Sequence, residues 1–167
     1  MTAAATEIAV RMGEIAVSKA AGDVLVSLGL GSCIGLALLD RPRGIAGLAH
    51  IMLPEALAAG GPAGKFADLA VPELVAQVTA LGTARPMLEA VLVGGAQMFS
   101  LGGSAAMDIG MRNDEAVRAA LAKERIPVVA AETGGAKGRT IRVVPGGSVL
   151  SKAAGGAEIV LMQGVRA

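Results

Sequence analysis

The chain has almost no aromatic residues: Phe66 and Phe99 stand alone among 167 residues, with neither Tyr nor Trp. Single-stranded nucleic acid is ordinarily held by stacking bases on aromatic platforms, so the composition argues against that mode of binding. Charge points the same way. Fifteen basic residues against fourteen acidic ones leave a formal charge of +1, with no basic stripe to follow a phosphate backbone. Nucleic acid is not expected as a partner. A core without aromatics has to be built from Val, Leu, Ile, Ala and the eight Met. Met98, Met107, Met111 and Met162 read as fillers of irregular core gaps.

Cysteine and histidine are scarcer still, with one of each, Cys33 and His50. A single cysteine forms no internal disulfide, which fits a reducing compartment. One Cys and one His fall short of the three or four ligands that zinc takes, so neither a metal nor another cofactor is expected. The opening MTAAATEIAVRMGEIAV carries an early acid and lacks a basic stretch leading into an apolar one, unlike a secretory signal. Residues 24–39 run uncharged between Asp23 and Asp40. That run is shorter than the ~18–20 residues of a membrane span and is broken by glycines, so no membrane insertion is expected. The expected location is the cytoplasm.

The length suits one domain with its own core, spanning 1–167, with the core at about 7–150 and a C-terminal segment at 151–167. EIAVRMGEIAVSK alternates around Gly13 and reads as two short strands or a hairpin. Val24–Leu28 and Ile34–Leu39 are continuous apolar runs about a glycine-bearing turn, and Ile45–Met52 is a third. Phe66, Leu69, Ala70, Leu74, Val78 and Leu81 have helical spacing, with Pro72 marking a kink or a start. Leu88–Val93 is a strand running into Gly94-Gly95. Asn113 reads as an N-cap for a helix through Glu124, with Asp114 and Glu115 in its first turn. Ile126–Ala130 is a strand. Arg139–Val144 and Ser148–Ser151 form a hairpin about Pro145-Gly146-Gly147, and Glu158–Met162 comes last. The expected class is α+β: an α/β sandwich of short, largely antiparallel strands with two main helices.

Cys33 and His50 each lie in an apolar, glycine-bearing segment, VLVSLGLGSCIGLALLD and GIAGLAHIMLP. A lone cysteine is most often an inert small hydrophobe and a lone histidine a hydrogen-bonded core residue. Together they are the minimum pair for nucleophilic acyl chemistry, because an imidazole can take the thiol proton and return it to a leaving group. Gly29, Gly31 and Ser32 let backbone approach a ligand closely, and amides near Ser32 and Cys33 are candidates for an oxyanion hole. Ser27, a polar residue in an apolar strand, either orients the imidazole or satisfies a backbone group. Gly29-Leu30-Gly31 with Gly35 misses the dinucleotide fingerprint, since the third glycine comes one residue late and no amphipathic helix comes after it.

LGLGSCIGLALLD, GIAGLAHIMLPE, VGGAQMF, IGMRN and GGAKGR, in that order, resemble the CheD family of chemoreceptor glutamine deamidases in bacterial and archaeal chemotaxis. The resemblance runs from about Glu7 to Leu150. It implies an α/β sandwich related to deamidase domains of bacterial toxins, and a Cys-His-Thr triad. Carried over by position, Cys33 is the nucleophile, His50 the general base, and Ser27 stands where the family has threonine. Val93 replaces a usual aromatic, and Ala136 an Asn. The resemblance further implies methyl-accepting chemotaxis receptors as substrates and the CheC phosphatase as a binding partner. A non-catalytic module that binds and stimulates CheC is the alternative expectation.

Overall fold

A computed structural model describes residues 5–57, 60–97 and 108–164. Phe99, Met98 and Met107 lie outside the described residues. Among the described residues ten strands form two five-stranded sheets, with the helices on one side. The strands are β1 (Thr6–Ala9), β2 (Ile15–Ser18), β3 (Asp23–Leu30), β4 (Ile34–Asp40), β5 (Ile45–Ile51), β6 (Glu89–Gly94), β7 (Val128–Thr133), β8 (Arg139–Val143), β9 (Val149–Ala153) and β10 (Glu158–Met162). The helices are α1 (Ala67–Thr79) and α2 (Ile109–Lys123). One sheet has the order β1-β3-β8-β9-β10 and the other β2-β5-β4-β6-β7. The β1–β3 and β6–β7 pairs are parallel, and the other pairs of these strands are antiparallel.

The layers arise from how the apolar residues are spaced. β4 and β5 are apolar at nearly every position and buried throughout, the pattern of a strand covered on both faces. Ile34, Leu36, Leu38, Ala49 and Ile51 point to the helices, joining Leu74 and Val78 of α1 and Val117 and Leu121 of α2. The alternate residues Ala37, Leu39, Ala46 and Leu48 point to the other sheet, where they meet Leu25, Leu30, Ile141, Val143 and Val149. The order is helices, sheet, sheet, with one core on each side of the middle layer.

Several expectations are resolved by this arrangement. The segment around Gly13 is two strands and not a hairpin, because β1 joins one sheet and β2 the other. The glycine turn after β3 likewise carries the chain between sheets, since β3 pairs with β8 and β4 with β5 and β6. α1 starts before Pro72 and continues through it, with the ring exposed. The expected N-cap at Asn113 is wrong. α2 begins at Ile109 after Asp108, and Asn113 is buried within it alongside Gly110, Val117 and Leu121. Met111 is not a core filler, being 54% exposed, whereas Met162 is buried.

At Gly47 of β5 a Cβ would lie 2.7 Å from methyl groups of both Leu74 and Val78 and 3.0 Å from one of Val17. Closeness there lets α1 lie flat on the sheet. Gly47→Val should destabilise the fold by about 1–3 kcal/mol, the usual cost of overpacking a filled core, read as a lower urea midpoint at unchanged slope.

Candidate active site

Cys33 ends the turn that carries the chain from β3 to β4, and His50 lies near the end of β5. In the β4–β5 ladder Gly35 faces His50 and Ile34 faces Ile51. Strand alternation puts Cys33, two residues before Gly35, on the same face as His50, the face directed at the other sheet. Cys33 packs against the inter-sheet core accordingly. Cys33 comes directly before Ile34, which pairs with Ile51, so the thiol and the imidazole lie at the same end of the β4–β5 ladder. The structure thus places the two candidates at one end of the middle sheet, on the same face. A cleft of about 330 Å³ is lined by Ala9, Val10, Arg11, Met12, Val26, Leu28 and His50, which is itself buried.

His50 is held by backbone. Its Nδ1 lies 3.0 Å from the Val10 carbonyl oxygen. A carbonyl only accepts, so Nδ1 carries the proton and Nε2 keeps its lone pair, the tautomer a general base needs. The main chain of His50 is fixed as well, by Gly13 N–H donating to its oxygen at 2.9 Å and its own N–H donating to Glu14 at 3.1 Å.

Ser27 is fully buried, and its hydroxyl donates to the same Val10 oxygen at 2.8 Å. The two readings of Ser27 from sequence thus merge. It satisfies a backbone group, and it reaches the imidazole through that group rather than by a direct bond. Immediately after Ser27 the strand bulges. The β3–β8 register shifts between Ser27 and Leu30, with Gly29 at φ 62°. The extra residue turns Leu28 out to 66% exposure while Leu30 returns to the core. Bulges commonly re-aim side chains in this way.

The turn before Cys33 is anchored at three successive carbonyls. Gly31 accepts from Ala96 N–H and Cys33 from Gly95 N–H, both at 2.8 Å. Ser32 accepts from Asn113 Nδ2 at 2.9 Å. In a planar trans peptide the N–H points opposite to the C=O. Tying down the Gly31 and Ser32 carbonyls therefore aims the N–H groups of Ser32 and Cys33 away from β6 and α2. These are the amides expected as oxyanion donors, with Gly31 and Ser32 supplying the backbone support. Gly94 permits the packing, since a Cβ there would fall 2.2 Å from the Cys33 oxygen.

Burial shifts both titrations. Desolvation raises the Cys33 thiol above its ordinary value. Desolvation lowers His50, outweighing the bond to Val10 and the charge of Glu14, which act in the opposite direction. A raised thiol beside a lowered imidazole rests as a neutral pair, not as thiolate and imidazolium. Among the described residues no group of three or more His, Cys, Asp or Glu could hold a metal ion. No helix among them is long and apolar enough to cross a membrane.

The family model described as CheD chemotactic sensory transduction matches residues 52–153. A protein of Geobacillus kaustophilus named "Probable chemoreceptor glutamine deamidase CheD" is 44% identical over 155 residues, covering 90% of this chain and 92% of its own. The chain belongs to the CheD family. A like-named protein of Symbiobacterium thermophilum is 44% identical over 90% of this chain and 94% of its own, and one of Clostridium kluyveri 47% identical over 70% and 74%. The family model begins just after His50, so the Cys33 and His50 segments are matched through these CheD relatives. A crystal structure of a Neisseria meningitidis protein assigned to DUF152 superposes with a TM-score of 0.50 at 10% identity, over 78% of this chain and 63% of that one. That likeness concerns the fold alone, which is α+β as expected.

Sequence reasoning named Cys33, His50, Ser27 and the turn as candidates, but passed over Val10 and took Asn113 for a helix cap. Nothing in sequence marks a backbone carbonyl. Asn113 had a usable signal: it sits four and eight residues before Val117 and Leu121, on the buried stripe of its helix.

Two measurements check the site. Alkylation of Cys33 by iodoacetamide should rise with pH toward a midpoint above the ordinary ~8.5 of a cysteine, read by intact mass; a midpoint below ~7 would demonstrate a thiolate–imidazolium pair instead. Ser27→Ala should cost about 0.5–1.5 kcal/mol, one buried hydrogen bond, while leaving the His50–Val10 bond in place.

Proposed function

We propose that this CheD-family chain hydrolyses the side-chain amide of glutamine residues in methyl-accepting chemotaxis receptors, with Cys33 as nucleophile. The observation that carries the reading is the placement of Cys33 and His50 on one face at the same end of the β4–β5 ladder, with the imidazole Nδ1 fixed on the Val10 carbonyl. The names of its relatives support the substrate.

His50 Nε2 takes the thiol proton as Sγ attacks the carboxamide carbon, forming a tetrahedral intermediate. The N–H groups of Cys33 and Ser32 receive the developing oxyanion. The imidazolium then protonates the departing nitrogen, ammonia leaves, and a thioester remains. His50 next draws a proton from water, the hydroxide adds to the thioester, and collapse returns thiol and glutamate. A glutamyl methyl ester would pass through the same thioester, with methanol leaving in place of ammonia. Leu28 and Met12, 66% and 63% exposed at the cleft beside His50, suit aliphatic surface of a protein substrate.

A glutamine-bearing receptor cytoplasmic fragment should gain about one dalton per site, the mass change of amide-to-acid conversion by this acyl-enzyme route. Cys33→Ala should abolish the gain, and His50→Ala should slow it by about 10²–10⁴-fold. An unchanged receptor with folded wild-type enzyme would refute deamidation of that receptor. Cys33→Ala also separates this activity from the expected CheC interaction, since a binding role survives loss of the thiol. The rate should fall as pH drops through a midpoint below the ordinary ~6.5 of histidine, because protonating the depressed His50 removes the base. Leu28→Asp should raise KM about tenfold or more, from the roughly 1.5–3 kcal/mol that burying a leucine contributes, with kcat nearly unchanged.

A further inference from the structure

Asn113 is a buried amide in the middle of α2, and both N–H bonds of its Nδ2 are used. One donates to the Ser32 carbonyl and the other to the Met52 carbonyl, each at 2.9 Å. Ser32 belongs to the turn before Cys33, and Met52 stands two residues after His50 at the end of β5. One side chain from the helical layer thus joins the backbone next to the candidate nucleophile to the backbone next to the candidate base.

Its other polar atom shows that the arrangement is not simply a satisfied core amide. Asn113 Oδ1 is buried without a hydrogen-bond partner among the described residues. Exchanging the two ends of the amide would place Oδ1 against two carbonyls, so the orientation is fixed by its partners. An Asn at this position of the stripe otherwise filled by Gly110, Val117 and Leu121 leaves one acceptor unpaired to keep two donors in place.

The peptide that Asn113 grips is the one between Ser32 and Cys33, whose N–H belongs to Cys33. Because that peptide is planar and trans, holding its oxygen toward α2 directs its N–H to the opposite side. We infer that Asn113 is a positioning residue for the oxyanion hole, fixing the Ser32–Cys33 peptide so that the Cys33 N–H meets the tetrahedral intermediate. This rests on the acyl-transfer reading above and adds a residue to it. Asn113 touches no substrate. Its effect falls on the transition state, where the oxyanion forms, and not on the nucleophilicity of sulfur itself.

That difference gives a test independent of any receptor. Acylation of Cys33 by p-nitrophenyl acetate passes through an oxyanion, whereas alkylation by iodoacetamide is a direct displacement that forms none. Both adducts are counted by intact mass in wild type, Asn113→Ala, Asn113→Ser and the near-isosteric Asn113→Asp, with thermal melting to select the folded variants. The expected result is an acylation-to-alkylation ratio at least about tenfold below wild type for Asn113→Ala, the scale of a weakened oxyanion donor, with partial recovery in Asn113→Ser, which keeps one donor. Where receptor deamidation is measurable, kcat should fall with KM nearly unchanged. An unchanged ratio in any folded Asn113→Ala or Asn113→Asp protein overturns the inference, as does failure of all three variants to fold, which would place the amide's role in the fold. Failure of the deamidase reading shows separately, as a wild-type enzyme that acylates at Cys33 yet leaves the receptor mass unchanged.

Discussion

The carbonyl oxygen of Val10 is the point on which the two sheets and the candidate base depend together. Val10 comes directly after β1, and its N–H donates to Val26 of β3 at 2.7 Å, holding it to the first sheet. Its oxygen accepts from Ser27 of that sheet and from His50 of the other. Two lone pairs on one oxygen serve both donors, so each of the three groups finds a partner away from water. A carbonyl also does for the imidazole what a carboxylate does in many triads, setting tautomer and orientation, but without a full negative charge. The difference has a chemical consequence. A carboxylate at Nδ1 would favour imidazolium strongly, whereas a neutral carbonyl leaves desolvation as the larger influence, and the imidazole stays neutral.

The opposite wall is built by different means. There the turn bearing Cys33 is tied through its carbonyls to β6 and α2, and hydrogen bonding alone decides where its amides face. The glycines of the region permit this more than they cause it. Gly94 clears the Cys33 oxygen, and Gly29 supplies the bulge that sends Leu28 outward and Leu30 inward. The candidate site thus gathers at the places where the chain changes sheets, at Val10 and at 31–33. Val10 reaches His50 and the turn at 31–33 leads into Cys33, which is why residues distant in sequence come to one end of the β4–β5 ladder.

Much of this could be read from the sequence, and the failures have physical causes. β4 and β5 were legible because strands covered on both faces are apolar at every position. Cys33 and His50 were legible through scarcity, each being the sole bearer of its chemistry. The placement of β3 and β4 in different sheets was not, since two apolar runs about a glycine turn look the same whether they form one hairpin or belong to two sheets. The bulge in β3 shifts the face of every later residue in that strand, and a period-two pattern cannot reveal it. Asn113 was misread because a helix start was inferred from capping preference, which Asp108 shares, and the Asp108 side chain makes no cap bond to the helix it precedes. The burial of Asn113 depends on α2 lying against the middle sheet, a tertiary fact.

The neutral resting pair fits the difficulty of the reaction more closely than an ion pair would. Amide hydrolysis turns on expelling a poor leaving group, and in the proposed mechanism the proton that reaches ammonia comes from the imidazolium formed during attack. A lowered His50 makes that imidazolium a stronger acid. A raised Cys33 makes the sulfur, once its proton is taken, a stronger nucleophile, because thiolate reactivity rises with basicity. The drawback is a small standing fraction of thiolate. That same scarcity protects the enzyme, since a half-buried neutral thiol reacts more slowly with oxidants and stray electrophiles than a thiolate does. Reactivity then depends on a substrate placed so that proton transfer, attack and oxyanion capture proceed together. Such coupling demands that the imidazole and the Cys33 amide keep a fixed relation. The Val10 carbonyl holds one of them and the anchored turn holds the other.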